Sequence, residues 1–290
     1  MLEVDAFLEA NASGRKPYTT ATARQYRYNL ARVEGWLETT GLDPASLAPK
    51  DFRRFLSPTW GHSHAHLMLA TLKAYLRWRY GETHPLLPLR LPRSESPVQR
   101  TLNTEEIDAC FAVLRPTRRA DRRTAALLQF ALDTGLRSAE LCNLRMDEID
   151  WNHCRGQTRV KGGRYGPFIF SPDALALLLQ WRADRDKLAP DSPYLFVSED
   201  GLQLTREALR WVCWRLAVRA KIRRFSPHAL RRAMACQLVE NGASERMTAA
   251  LGRWKNTQMV YTYTRALSLE AARDILPGAV RARRMQEAAQ

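Results

Sequence analysis

Pro85, Pro88, Pro92 and Pro97 fall close together among charged residues and serines. Proline lacks a backbone N–H and restricts the residue before it, so neither a helix nor a central strand can run through this stretch. The 290-residue chain is therefore expected to fold as two domains joined by an extended connection. Residues 1–87 form the first, 88–100 the linker, 101–276 the second, and 277–290 a tail.

The first part reads as helices. Tyr26, Leu30, Val33 and Leu37 recur at helical spacing within Thr22–Leu37, leaving Arg24, Arg27 and Arg32 on the other side. Pro44–Leu56 is expected as one short helix with an acidic entry at Asp51. His66–Tyr80 is a longer one, with Leu67, Leu69, Leu72, Tyr75, Leu76 and Trp78 as its apolar surface. Its Lys73, Arg77 and Arg79 suit either phosphates or water. His62, His64 and His66 have no carboxylate or cysteine at ligand spacing, so they read as a histidine-rich loop near DNA and no metal is expected.

After the linker, Thr104-Glu105-Glu106-Ile107 looks like a helix start, Asp121–Asp133 like an apolar helix ended by Thr134-Gly135, and Ser138 like the cap of the next. Ile149–Trp151, Gln157–Val160 and Pro167–Phe170 read as short strands. Helices return at Pro172–Leu188, Thr205–Ala220, Pro227–Asn241, Ser244–Gly252 and Asn256–Ala266. The fold class is mainly α with one small antiparallel β-sheet.

Lys and Arg number 45 against 30 Asp and Glu, a surplus of +15 that favours a polyanionic partner. Five scattered cysteines, none in a C-x-x-C pair, argue against a disulfide framework or a zinc site and for a reducing cytosol. No signal peptide and no apolar run of membrane-spanning length is visible.

The chemistry is carried by spaced residues. Arg137 follows a glycine turn at a helix start, where a guanidinium beside free N–H groups suits an oxyanion. Glu140, three residues on, can orient it, although an ordinary surface pair would look the same. Lys161 sits in the Gly-rich turn Val160-Lys161-Gly162-Gly163-Arg164, at the tip of a hairpin, with Arg159 and Arg164 competing for a DNA-facing role. His228 and Arg231, three apart, share a helix face. Trp254 and Tyr263 complete a set able to attack a phosphodiester without a metal: cations for the oxygens, Lys and His for protons, Tyr as nucleophile. Val260, Tyr263 and Leu267 also share a face, so core packing explains Tyr263 equally well when it is taken alone.

The set resembles the tyrosine recombinases, the phage-integrase family that includes the Xer and Cre enzymes. Thr134-Gly135-Leu136-Arg137-Ser138-Ala139-Glu140-Leu141 is similar to the family's first arginine box, and His228-Ala229-Leu230-Arg231-Arg232 to its His-x-x-Arg box. Lys161 matches the hairpin lysine. Where many members have Leu-Gly-His, this chain has Leu251-Gly252-Arg253-Trp254. The family's nine-residue step to the nucleophile reaches Thr262 from Arg253 but Tyr263 from Trp254, and the Cre branch carries a tryptophan in that slot. This register favours Tyr263 over Tyr261. The two tyrosines lie about 200° apart on one helix and cannot face the same phosphate. Trp254 and Tyr263 can meet only if the helix breaks between them, for which Asn256-Thr257 is a suitable cap.

The resemblance implies a site-specific recombinase that cuts and rejoins double-stranded DNA through a 3′-phosphotyrosyl bond at a specific recombination site, with no metal, ATP or other cofactor. In it Tyr263 attacks, Arg137, Arg231 and Trp254 stabilise the phosphate, Lys161 protonates the leaving oxygen, His228 moves a proton and Glu140 supports. Arg24, Arg27, Lys73, Arg77, Arg159 and Arg164 are expected on DNA. The resemblance also implies a homotetramer on DNA, with part of residues 267–290 docking on a neighbour, and a cytoplasmic, nucleoid-associated protein of a prokaryote or mobile element. Two other readings stay open: relaxation of DNA in the manner of a type IB topoisomerase, and a catalytically silent DNA-binding protein.

Overall fold

The computed structural model describes residues 2–12, 17–57, 60–92, 99–159 and 165–264. The chain divides into two compact units, Met1–Glu95 and Ser96–Gln290.

The first unit is helical: α1 (Val4–Ala12), α2 (Thr20–Thr40), α3 (Pro49–Phe55) and α4 (His62–Tyr80). Thr19 caps α2 by accepting from the Thr22 N–H, and Gly41 closes it in the left-handed region. Leu30, Val33 and Leu37 of α2 bury against Met68, Leu72, Tyr75 and Leu76 of α4, with Phe7 of α1 and Phe52 of α3 in the same core. Three expectations need correcting. Pro44–Leu56 is not one helix. A 3₁₀ turn, Pro44–Ser46, precedes α3, because Pro49 holds Ala48 extended and starts a new helix capped by the Asp51 carboxylate, which accepts from the Ala48 N–H at 3.0 Å. The histidines are not in a loop. α4 starts at His62, so all three lie in its first turns, where the His64 ring meets Trp60 at 4.8 Å and His66 Nε2 lies 3.0 Å from the Pro92 carbonyl. Leu67 stays on the outside; buried Thr71 takes an inward place and accepts from Asn29 at 2.9 Å.

Leu86, Leu87 and Leu89 are buried beyond α4. Lys73 donates to the Leu87 and Leu89 carbonyls, and burial together with Arg90 and Arg77 lowers its pKa. The ammonium is thus committed to holding this segment, a different placement from the phosphate-facing one expected.

The second unit contains α5 (Thr104–Ala112), α6 (Arg119–Thr134), α7 (Ser138–Asn143), the antiparallel sheet β1 (Ile149–Asp150), β2 (Arg155–Arg159) and β3 (Tyr165–Ile169), then α8 (Pro172–Leu188), α9 (Arg206–Arg219), α10 (Pro227–Glu240), α11 (Glu245–Leu251) and α12 (Gln258–Thr264). Asn103 and Glu106 form a reciprocal capping box at α5. Helix α6 runs through the core, packed on α8, α10 and β3. Its Phe130 meets Phe168 and Phe170 at 5.6 and 5.3 Å. The Asp133 carboxylate accepts from both the N–H and hydroxyl of Ser171, the cap of α8, which ties the two helices together. All five cysteines are free thiols. Burial pushes Cys110 and Cys142 up to about 11 and Cys213 to about 12, as expected of packing side chains. Among the described residues no helix is long and apolar enough to cross a membrane, and no group of three or more His, Cys, Asp or Glu could hold a metal.

Gly156 of β2 faces Phe168 across the ladder. A Cβ there would lie 2.5 Å from the Glu148 carbonyl oxygen and 2.5 Å from the Phe168 ring. Gly156→Ala is expected to cost about 1–3 kcal/mol through overpacking, measured by urea denaturation.

Candidate active site

The site is assembled at the C-terminal end of α6. Gly135 stops that helix at φ +54, and Arg137 then adopts extended backbone as the residue before α7. Ser138 is the first helical residue rather than the cap. Capping falls to Glu140, whose carboxylate accepts from the Arg137 N–H at 2.9 Å and from Arg137 Nη1 at 2.7 Å. Glu140 is 5% exposed, whereas Arg137 keeps 44% of its side chain open.

Helix α10 begins at Pro227 and presents His228 and, one turn on, Arg231. Arg231 is 1% exposed. Its Nη1 donates to the Gly135 carbonyl and its Nη2 to the Gly252 carbonyl, while Trp254 stacks on the guanidinium at 4.6 Å. Burial, then the charges of Arg137 and Arg253, pull its pKa down to about 10 against the opposing pull of Glu140 and Tyr263. Gly252 is required here, since a Cβ would sit 2.1 Å from the Trp254 ring. The neighbouring Arg232 points away and donates to the Arg100 carbonyl at 2.7 Å.

The helix break expected between Trp254 and Tyr263 is present, and it starts earlier than Asn256. α11 ends at Leu251, Arg253 takes a left-handed φ of +54, and α12 opens at Gln258. This turn brings Trp254 within 5.4 Å of Tyr263. The Tyr263 hydroxyl lies 3.3 Å from His228 Nε2. Tyr263 is 7% exposed, and Cys236 of α10 donates to its carbonyl; Tyr261 is 56% exposed and faces away. Partial withdrawal from water, then Arg232, Arg231 and Arg137, push the His228 pKa below the ordinary imidazole value, which leaves a neutral ring beside the phenol at pH 7.

Arg253 is the member that sequence reasoning left without a role. Its side chain is 8% exposed, with Nη2 3.6 Å from Glu140 and donating to Thr134 O, and Nη1 donating to Leu251 O and Pro167 O. Its burial lowers its pKa. The available signal was an arginine standing between the glycine and tryptophan of a resembling motif. Arg137 and Arg253 thus share one carboxylate, and Arg231 lies near enough for their charges to lower its pKa, a local excess of positive charge suited to an oxyanion.

The other expected residues are placed as follows. Arg24 is exposed on α2 and Arg159 at the end of β2, opposite Tyr165. Arg27 pairs with Asp5, and Arg77 with Glu82 at 2.7 Å, all four exposed. Lys161, Arg164 and the segment 267–290 lie outside the described residues.

Comparison with known proteins gives a consistent picture. The phage integrase family model matches residues 100–270. The tyrosine recombinase XerC of Oceanobacillus iheyensis is 30% identical over 285 residues, covering 91% of each chain. Among solved structures, the Tn1549 transposon integrase in complex with transposon right end DNA superposes with a TM-score of 0.72 at 15% identity, covering 93% of this chain and 97% of that one. A lambda integrase tetramer bound to a Holliday junction gives 0.70 at 17% identity, covering 91% and 77%.

Removing the buried carboxylate would leave Arg137 and Arg253 uncompensated. Glu140→Ala is expected to lose about 3 kcal/mol in chemical denaturation, and Glu140→Gln, which keeps an acceptor for the Arg137 N–H, a smaller part of that.

Proposed function

The chain belongs to the phage integrase family, and from that premise we propose that it is a site-specific DNA recombinase using Tyr263 as its nucleophile. The observation that carries this reading is the Tyr263 hydroxyl, 3.3 Å from His228 Nε2, in a site where Arg137 and Arg253 share the Glu140 carboxylate and Arg231 is buried under Trp254.

The chemistry runs as follows. The Tyr263 oxygen attacks a DNA phosphorus as His228 Nε2 takes the phenolic proton. A 3′-phosphotyrosyl bond forms and the bond from phosphorus to the 5′-oxygen breaks. Lys161 protonates that oxygen, releasing a 5′-hydroxyl. Arg137, the partly exposed guanidinium, meets a non-bridging oxygen, and Arg231 and Trp254 add a second cation and an indole N–H. Arg231 keeps one N–H on each Nη beyond those given to Gly135 and Gly252. Glu140 and Arg253 are positioning groups, fixing Arg137 and the turn that carries Trp254. Because the phosphotyrosyl ester retains the bond energy, attack by a 5′-hydroxyl from a second strand reverses the step and exchanges strands without metal or nucleotide.

Arg231 is 1% and Tyr263 7% exposed, so in this reading the groups covering them must give way to admit a phosphate. Binding to double-stranded DNA rests chiefly on phosphate contacts, from residues that include Arg24, Arg27, Arg77, Arg159 and Arg164, so affinity falls steeply with salt. The tetramer of the lambda integrase supports a tetramer of this chain on its recombination site.

On a nicked duplex carrying the cognate site, Tyr263→Phe is expected to abolish covalent attachment while leaving DNA binding intact, and Tyr261→Phe to retain attachment. The reverse pattern would move the nucleophile to Tyr261. No attachment by the wild type would favour a silent DNA-binding protein, and relaxation without exchange a topoisomerase.

The lowered His228 pKa sets the sign of the pH dependence. The base is neutral above the ordinary imidazole value of about 6.5 and is lost only as pH falls through a lower midpoint. Single-turnover attachment should therefore be flat near pH 7 and decline on acidification with a midpoint below about 6.5. His228→Gln should slow it by about 10²-fold and remove that acid limb.

A further inference from the structure

The opposite end of α6 carries a second concentration of positive charge. A cavity of about 490 Å³ there is lined by Arg118, Arg119, Arg123, Arg215 and Arg219, with Ala120, Val212 and Leu216 supplying apolar wall. It lies at the N-terminus of α6, whereas Arg137 follows the C-terminus. Sixteen helical residues separate the two ends, roughly 22 Å at 1.5 Å per residue.

Its charges do not balance. Asp121 is taken by Arg219, which holds both carboxylate oxygens at 2.6 and 2.9 Å. Glu199 is 57% exposed and reaches Arg123 only at 3.6 Å. Arg118, Arg119 and Arg215 form no ion pair within 4.0 Å among the described residues. Arg118 precedes the helix without offering its first turn a side-chain acceptor, so the partial positive charge of the helix end adds to the surplus.

Arg123 is the independent sign of a ligand. It is 4% exposed and donates through Nη1 to the Val197 carbonyl at 3.0 Å. Its buried Nε has no hydrogen-bond partner among the described residues. Arg123 lines the cavity, and a buried guanidinium left short of acceptors is costly, which favours an oxyanion beside it. Burial depresses its pKa; Glu199 opposes this, while Arg215 and Arg119 add to it. With Glu199 exposed and 3.6 Å away, the protein itself compensates the charge here incompletely.

We propose that this cavity is a binding site for a soluble di- or triphosphate group, held by Arg118, Arg119, Arg123 and Arg215 and by the first turn of α6. A surplus of three cations matches such a polyanion better than a single carboxylate, and the volume falls within the range of small-molecule sites.

Isothermal titration of the full chain with inorganic pyrophosphate, at fixed ionic strength in chloride, tests this. The wild type is expected to bind. Arg118→Ala and Arg215→Ala, both at exposed positions outside the recombination site, should each weaken binding at least tenfold while covalent attachment to the nicked duplex is kept. Arg137→Ala should leave pyrophosphate binding unchanged. Three results would overturn the proposal: no binding by the wild type, binding lost in Arg137→Ala but kept in Arg118→Ala and Arg215→Ala, or an equal loss of duplex DNA affinity in those two variants, which would make the cavity a contact for the DNA backbone.

Discussion

The buried carboxylate of Glu140 is the point on which the site depends. One side chain caps α7, fixes the Arg137 guanidinium and lies beside Arg253. Without it, the buried Arg253 would lose its carboxylate and would repel Arg137 and Arg231, and α7 would lose its cap. One carboxylate does not neutralise three arginines. The remainder is a standing demand for an anion, and it forms the electrostatic basis of the proposed phosphoryl chemistry.

The two glycines in contact with Arg231 show how local backbone serves this arrangement. Gly135 ends α6 in a left-handed conformation and Gly252 ends α11 against the face of Trp254. Their carbonyls accept from the two ends of the Arg231 guanidinium. A charged group is thereby buried between two helix ends, whose carbonyls carry partial negative charge suited to a cation. The same turn supplies the left-handed Arg253 that redirects the chain, so Trp254 and Tyr263 meet although a continuous helix would keep them apart.

Much of this was legible in the residues. Apolar residues at helical spacing placed α2 and α4, because their buried positions follow that repeat. Boundaries were missed where a neighbour decided them: Pro49 split the stretch after Pro44, and the capping of α7 came from Glu140 instead of Ser138. Arg137, His228 and Arg231 could be named from their motifs because each stands next to a turn or helix start that is visible in the sequence. The choice between Tyr261 and Tyr263 rested on register, and in the fold only Tyr263 faces His228. Arg253 was not legible as a member of the cluster. Its burial depends on contacts to Thr134, Glu140 and Pro167, all distant in sequence. Lys73 misled for a related reason, since a lysine on an apparently basic face turned inward to carbonyls beyond its own helix.

The central claim is that the phenol held beside His228 becomes joined to DNA. Mass spectrometry of peptides from the wild-type protein, trapped on a nicked duplex bearing its recombination site, tests it most directly. The account predicts a nucleotide adduct on Tyr263. An adduct on Tyr261, or on any other residue, would contradict it.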